Sequence, residues 1–167
     1  MSVLANTSHQ DKSESEAMDN TLMQIVSFKL GEEEFGINIL KVQEINRIVD
    51  ITHLPNSPDF VEGVINLRGS VIPVISLRKR FNMSKVDINM NTRIVVVEIT
   101  GRIFGFIVDA VSEVLRIPAG SIEPPPMMVS GIDSTYILGV AKWQDRLLII
   151  MDLDKVLTTE EISQINS

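Results

Sequence analysis

The chain repeats one design within itself, and that repeat constrains its fold more than any single motif. At an offset of 69, Ile25 falls on Ile94, Val26 on Val95, Phe28 on Val97 and Leu30 on Ile99. Phe35-Gly36 falls on Phe104-Gly105, Val42 on Val111, Glu44 on Glu113 and Pro55 on Pro124. At an offset of 76, Val61–Phe81 falls on the stretch ending at Leu157, with Gly63 on Gly139, Val64 on Val140, Val71 on Leu147 and Leu77 on Leu153. The seven-residue difference places an insertion between Pro124 and Gly139. Copy one spans roughly 22–82 and copy two roughly 92–158, joined by the polar link Met83–Asn91.

Each copy reads as short strands and turns. Gln24–Leu30 alternates, with Val26, Phe28 and Leu30 on one face and Ser27 and Lys29 on the other. Gly31–Glu34 is a polar turn, and Phe35–Ile39 completes a hairpin. Leu40–Ile48 suits either a twisted strand or a short helical turn. The runs Val61–Ile65 and Val71–Leu77 flank Arg68-Gly69, which is a hairpin pattern. Pro73 has no N–H for a ladder, so the second run is expected to be an edge strand or to carry a bulge. Leu77 and Phe81 are spaced as one helical turn, and Thr158 with Glu161 has the spacing of a helix capping box. Many short strands indicate small closed barrels, too small individually to be stable, which should share a core.

Residues 1–21 are polar and aperiodic and read as a disordered tail. They lack the basic region and apolar core of a secretory signal. The longest apolar runs are strand-length, far below a membrane span. These features predict a cytoplasmic protein without direct membrane insertion.

Residue chemistry argues against catalysis. There are no cysteines, and the histidines are His9, in the tail, and His53, beside a proline-containing connector, without metal-ligand spacing. The run Glu32–Glu34 reads as a wet hairpin tip, and no phosphate-binding glycine loop or nucleophile elbow occurs. No enzyme activity and no cofactor are expected. Pro124–Pro126 reads as a stiff connector. A net charge of −7 and an aromatic content of 5% argue against nucleic acid, whose binding needs cations and stacking platforms. The copies differ at one telling place. Arg68, at the hairpin tip Asn66-Leu67-Arg68-Gly69, falls on Gln144 in the second copy. An Arg beside apolar residues at a turn suits a protein interface as well as a solvated tip.

Three stretches, FKLGEEEFGINILKVQEI at Phe28–Ile45, LPNSPDFVEGVINLRGSVIPVISLRKRF at Leu54–Phe81 and FGFIVDAVSEVL at Phe104–Leu115, resemble the CheW family of bacterial chemotaxis coupling proteins. The likeness covers about residues 22–160, taken as a CheW-like domain. Related domains occur in the kinase CheA and in CheV, but the chain has no room for a kinase or receiver domain. The resemblance implies a mainly β fold of two intertwined five-stranded SH3-like barrels with a few short helices. It implies a non-enzymatic scaffold joining the cytoplasmic tip of a chemoreceptor to the regulatory domain of the histidine kinase CheA, associated with membrane receptor arrays through those partners. Glu44, Arg68 and Val42 match family positions tied to coupling or partner contact, and Asn66, Leu67 and Gly69 complete the tip. A coupler for a non-flagellar chemosensory pathway and a double-barrel oligonucleotide binder are the other readings.

Overall fold

A computed structural model describes residues 21–165 apart from Ser130. The expected tail lies almost wholly outside the described residues. Among the described residues twelve strands run in order: β1 (Leu22–Leu30), β2 (Glu33–Asn38), β3 (Val42–Arg47), β4 (Val61–Leu67), β5 (Ser70–Ser76), β6 (Arg93–Ile99), β7 (Arg102–Val108), β8 (Ala110–Pro118), β9 (Met128–Val129), β10 (Ile132–Asp133), β11 (Ile137–Trp143) and β12 (Arg146–Met151). The α-helices are α1 (Leu77–Arg80), α2 (Leu153–Val156) and α3 (Thr159–Ile165).

Two five-stranded sheets result. One has the order β3-β6-β7-β5-β4, the other β11-β12-β2-β1-β8. The chain just past β3 returns to β4, where Thr52 and Val64 exchange backbone hydrogen bonds. Glu123 and Val140 do the same between the continuation of β8 and β11. These bridges curl each sheet towards closure, and the first sheet is called here the central barrel and the second the terminal barrel. Gly63 and Gly139 sit at the bridges because a Cβ would strike the Thr52 or Glu123 carbonyl oxygen, at 2.1 and 2.7 Å.

The expected division into barrels over roughly 22–82 and 92–158 is corrected by this topology. The central barrel uses β3, β4 and β5 of copy one with β6 and β7 of copy two. The terminal barrel uses β1 and β2 of copy one with β8, β11 and β12 of copy two. A repeat shows which strands are equivalent, not which are neighbours. Each copy's first hairpin is exchanged into the other copy's barrel and joined there by a short parallel pairing. β12 runs parallel to β2 from Leu148↔Glu34 to Ile150↔Gly36, and β5 parallel to β7 from Val74↔Gly105 to Ser76↔Ile107.

The repeat is nonetheless structural. The ladder is irregular between Val42 and Glu44 in β3, and at the equivalent place opposite β8, between Ser27 and Phe28. The insertion in copy two is divided. Thr52 corresponds by its bridge to Glu123, two residues later than the offset of 69 places it, so two of the extra residues enter before Pro124. Most of the remainder belongs to the β9–β10 region. The ambiguous stretch Leu40–Ile48 contains both alternatives, a 3-10 turn at Ile39–Lys41 and then β3.

Pro73 is neither on an edge strand nor at a register shift, since β5 lies between β4 and β7. The reason lies across the ladder. Val64, opposite Pro73, spends its N–H and C=O on Thr52, so the pair requires no hydrogen bond from the proline. The parallel pairing with β7 starts only at Val74.

Strand alternation feeds three apolar clusters. Ile94 and Val96 of β6 point into the central barrel with Ile65, Ile72 and Val74. Ile25, Leu115, Leu148 and Ile150 fill the terminal barrel. The opposite faces, including Phe28, Phe35, Val95, Val97, Phe104, Phe106, Ile149 and Met151, meet in a larger core shared by both barrels. Strands buried on both faces explain why the sequence runs were almost continuously apolar. The C-terminal segment covers this core with Val156, Leu157 and Ile165. Thr158 and Glu161 form the expected capping box, with the Thr158 N–H donating to Glu161 Oε1 at 2.8 Å and the Glu161 N–H to Thr158 Oγ1 at 3.1 Å. Arg80 holds Glu161 with two hydrogen bonds of 2.8 and 2.9 Å and lies over the rings of Phe60 and Tyr136.

A polar junction crosses between the halves. Arg78 Nε donates to Asp109 Oδ1 at 2.8 Å, and the Gly31 N–H donates to Asp109 Oδ2 at 2.7 Å. Burial alone would raise the Asp109 carboxyl, but the Arg78 hydrogen bond, the Gly31 N–H and the Arg78 charge outweigh it and hold the group below the usual carboxylate range.

Two predictions follow from the joints. A fragment ending at Asn82 lacks β6, β7, β8 and β12, so it should give a poorly dispersed NMR spectrum; mixing it with residues 83–167 should restore native dispersion. A folded spectrum from the short fragment alone would contradict the exchange. Asp109→Asn should cost about 1–3 kcal/mol, read from urea denaturation. Because the folded carboxyl lies below its unfolded value, the wild-type advantage should be complete above about pH 5 and shrink as acid protonates Asp109.

Candidate functional site

The tip between β4 and β5 is a two-residue hairpin loop. Arg68 and Gly69 both have positive φ, at 51° and 85°, the pattern of a type I′ turn. Its backbone twist matches that of the flanking strands, but the left-handed conformation costs a non-glycine residue roughly 1–2 kcal/mol. Asn66 Oδ1 accepts from the Gly69 N–H at 3.0 Å and closes the loop.

Arg68 projects from this turn with its side chain 81% exposed, yet its head is held in place. Its Nη2 donates to Oε2 of Glu44, on β3, at 2.6 Å. Glu44 is the less exposed partner, at 24%. The pair spans the mouth of the central barrel, from one outer strand to the hairpin of the other. An open groove of about 490 Å³ runs beside it, lined by Gln43, Leu67, Val71 and Arg102 among others. Val71 is 67% exposed, and Ile45 of β3 is also exposed.

The six residues expected to contact partners take different places around the groove. Glu44, Leu67 and Arg68 line the groove, with Leu67 half-buried against the central barrel's core. Asn66 and Gly69 shape the turn. Val42, across the β3 irregularity from Glu44, does not line the groove and packs against the shared core.

Sequence reasoning missed the counterpart of this pair in the terminal barrel. The β11–β12 turn repeats the backbone geometry, with Gln144 and Asp145 at φ of 47° and 64°. Gln144 occupies the Arg68 position, but Arg146, two residues on, donates to Glu113 Oε1 at 2.9 Å and lies 3.4 Å from Glu34. Glu113 is the equivalent of Glu44. The hydrogen bond to Glu113 and the two carboxylates raise the Arg146 guanidinium above its usual range. Searching a few residues either side of the strict offset for the missing cation would have found it.

Among the described residues no group of three His, Asp or Glu side chains is placed to hold a metal, and no helix is long and apolar enough to cross a membrane. The CheW-like domain family matches residues 24–161. The chain belongs to this family. It is 39% identical over 144 residues to the chemotaxis protein CheW of Klebsiella aerogenes, covering 86% of this chain and 87% of that protein. Identity to FrzA of Myxococcus xanthus is 31% over 136 residues, covering 79% and 83%. The crystal structure of a CheW scaffolding protein from Thermoanaerobacter tengcongensis superimposes with a TM-score of 0.78 at 45% identity, covering 84% of this chain and 91% of that one. These likenesses, with the two five-stranded sheets, make the protein a chemotaxis coupling scaffold of the SH3-like type.

The tip tests whether Arg68 serves stability. Its exposed ion pair is worth about 0–1 kcal/mol, and its left-handed backbone costs a comparable amount. Arg68→Gly should therefore melt at or slightly above the wild-type temperature. A fall of many degrees would make Arg68 a structural residue.

Proposed function

We propose that this chain joins the cytoplasmic tip of a chemoreceptor to the regulatory domain of a CheA-type histidine kinase, without catalysis of its own, at arrays beneath the membrane. Membership of the CheW-like family supports the scaffold, and the exposed faces of its barrels supply the surface a scaffold requires.

One observation supports the central-barrel tip as a contact. A strained, exposed Arg is fixed by a carboxylate beside exposed Val71, although the fold would accept Gly or Asn at that turn. A fixed guanidinium loses less side-chain entropy on binding than a free one, and Arg is favoured at interface hot spots. Glu44 is the positioning residue in this reading. Val42, half-buried against the shared core beside Gln43 of the groove, contributes at the edge of the same surface. The acidic chain and its few aromatic residues do not support the oligonucleotide reading. A coupler for a non-flagellar chemosensory pathway is the second reading of the same surface, favoured by the likeness to FrzA.

The experiment compares wild type, Arg68→Ala and Glu44→Ala by calorimetry with a kinase regulatory domain and a receptor fragment separately, then measures receptor control of the kinase. Arg68→Ala should lose on the order of 2 kcal/mol or more with one of the partners, and lose receptor control, while melting like wild type. Glu44→Ala should show a milder form of the same defect. Normal binding and normal kinase control by Arg68→Ala would remove the tip from the interface.

A further inference from the structure

The terminal barrel carries an apolar groove that its own fold does not use. It is about 480 Å³, lined by Leu22 and Met23 of β1, Ile39 and Leu40 of the 3-10 turn, and Arg116 of β8. Leu40 is 87% exposed and Leu22 54%. Leu40 is held outward by a fixed turn, since Asn38 Oδ1 accepts its backbone N–H at 2.9 Å. The repeat shows that this position need not be apolar. At the offset of 69, Leu40 falls on Asp109, which the other half uses in the Arg78 ion pair. A leucine pinned into solvent where the equivalent position is a carboxylate marks a surface kept for contact.

From the groove's position, we infer that its occupant is the chain's own N-terminal segment, residues 1–20, with Val3 and Leu4 inserted beside Leu22 and Leu40. Three observations select this segment. Thr21, which accepts a hydrogen bond from the Ala119 N–H at 2.8 Å, lines the groove itself, so the segment leaves from its mouth. Residues 5–20, taken as a coil, span on average about 20–24 Å, enough to turn back, and such a tether gives a local concentration on the order of millimolar. The charges also match. Residues 11–19 contain Asp11, Glu14, Glu16 and Asp19 against the single cation Lys12. Among the described residues the one charged side chain lining the groove is Arg116, to which no described carboxylate is paired.

The docked segment covers Leu40, two residues before Val42, and so competes with whatever partner approaches that side of β3. The docking stands on the groove and the segment alone; the competition rests on the coupling function proposed above.

Because the chain has no cysteine, a single nitroxide can be attached to the full-length protein at Ser2→Cys. The NMR amide signals of Leu22, Leu40 and Arg116 should lose most of their intensity, while those of Gly69 and Ser70, at the central-barrel tip, remain. Adding Leu4→Asp to the labelled chain should restore them. Equal signal loss at Leu40 and Gly69, or loss that Leu4→Asp leaves unchanged, would overturn the docking. Loss carried from a labelled to an isotope-enriched unlabelled chain in a mixture would make a second copy the occupant and also overturn it. With docking established, Leu4→Asp in the unlabelled chain should tighten binding of a receptor fragment several-fold. Unchanged affinity alongside intact signal loss would leave the docking standing and remove the receptor from this face.

Discussion

Two short parallel strand pairs, β2 with β12 and β5 with β7, join the halves of this chain and condition the rest of the structure. Antiparallel strands can be joined by a turn, but parallel partners must be brought together from distant parts of the chain. Here the first hairpin of each copy is inserted between strands of the other. Every strand of these hairpins is then covered on both faces, by a small barrel interior on one side and the shared core on the other. Small barrels have little interior. At the joints, Gly36 and Gly105 leave space that a methyl group would take from Ile25 and Ile94, with contacts of 2.4 and 2.8 Å. Most of the apolar stabilisation therefore lies in the core between the barrels, which exists only when both are formed.

The same arrangement determines what is free to bind. With both faces of the central strands buried, contact surface is left at barrel mouths, turns and outer strands. The two mouths carry related chemistry, Arg68 with Glu44 in one and Arg146 with Glu113 and Glu34 in the other. They are not equal. Arg68 sits on a turn beside an exposed valine and meets one carboxylate, whereas Arg146 lies on its strand between two carboxylates that already neutralise it. A partner recognising one mouth by a guanidinium contact would find a weaker version at the other, which gives a pseudo-symmetric scaffold two distinguishable ends.

Much of the fold was legible in the sequence because equivalent strands keep equivalent apolar patterns: Ile25 to Leu30 and Ile94 to Ile99 could be paired by eye. Strand adjacency was not legible, since pairing partners far apart in the chain leave no local signal, and the contiguous barrels inferred from the repeat were wrong for that reason. Pro73 misled in a related way. A proline is excluded only where a ladder needs its N–H, and that need is set by Thr52, outside the strand pair. At the candidate site, Glu44 and Arg68 could be named in advance, and their contact matches the opposite charges. Arg146 was missed because long side chains can reach one carboxylate from backbone positions two residues apart.

The topology also imposes an order on assembly. All five strands of the central barrel lie between Val42 and Val108 without interruption, so that barrel can begin to assemble once β7 has left the ribosome. The β1–β2 hairpin emerges first and is completed last. Its partners on either edge, β8 and β12, end at Pro118 and Met151. During that interval the two edges of the hairpin that β8 and β12 later pair stay open, and such edges are prone to pair with other chains. The terminal barrel of a nascent molecule thus stays open at both edges of its first hairpin until β12 is made.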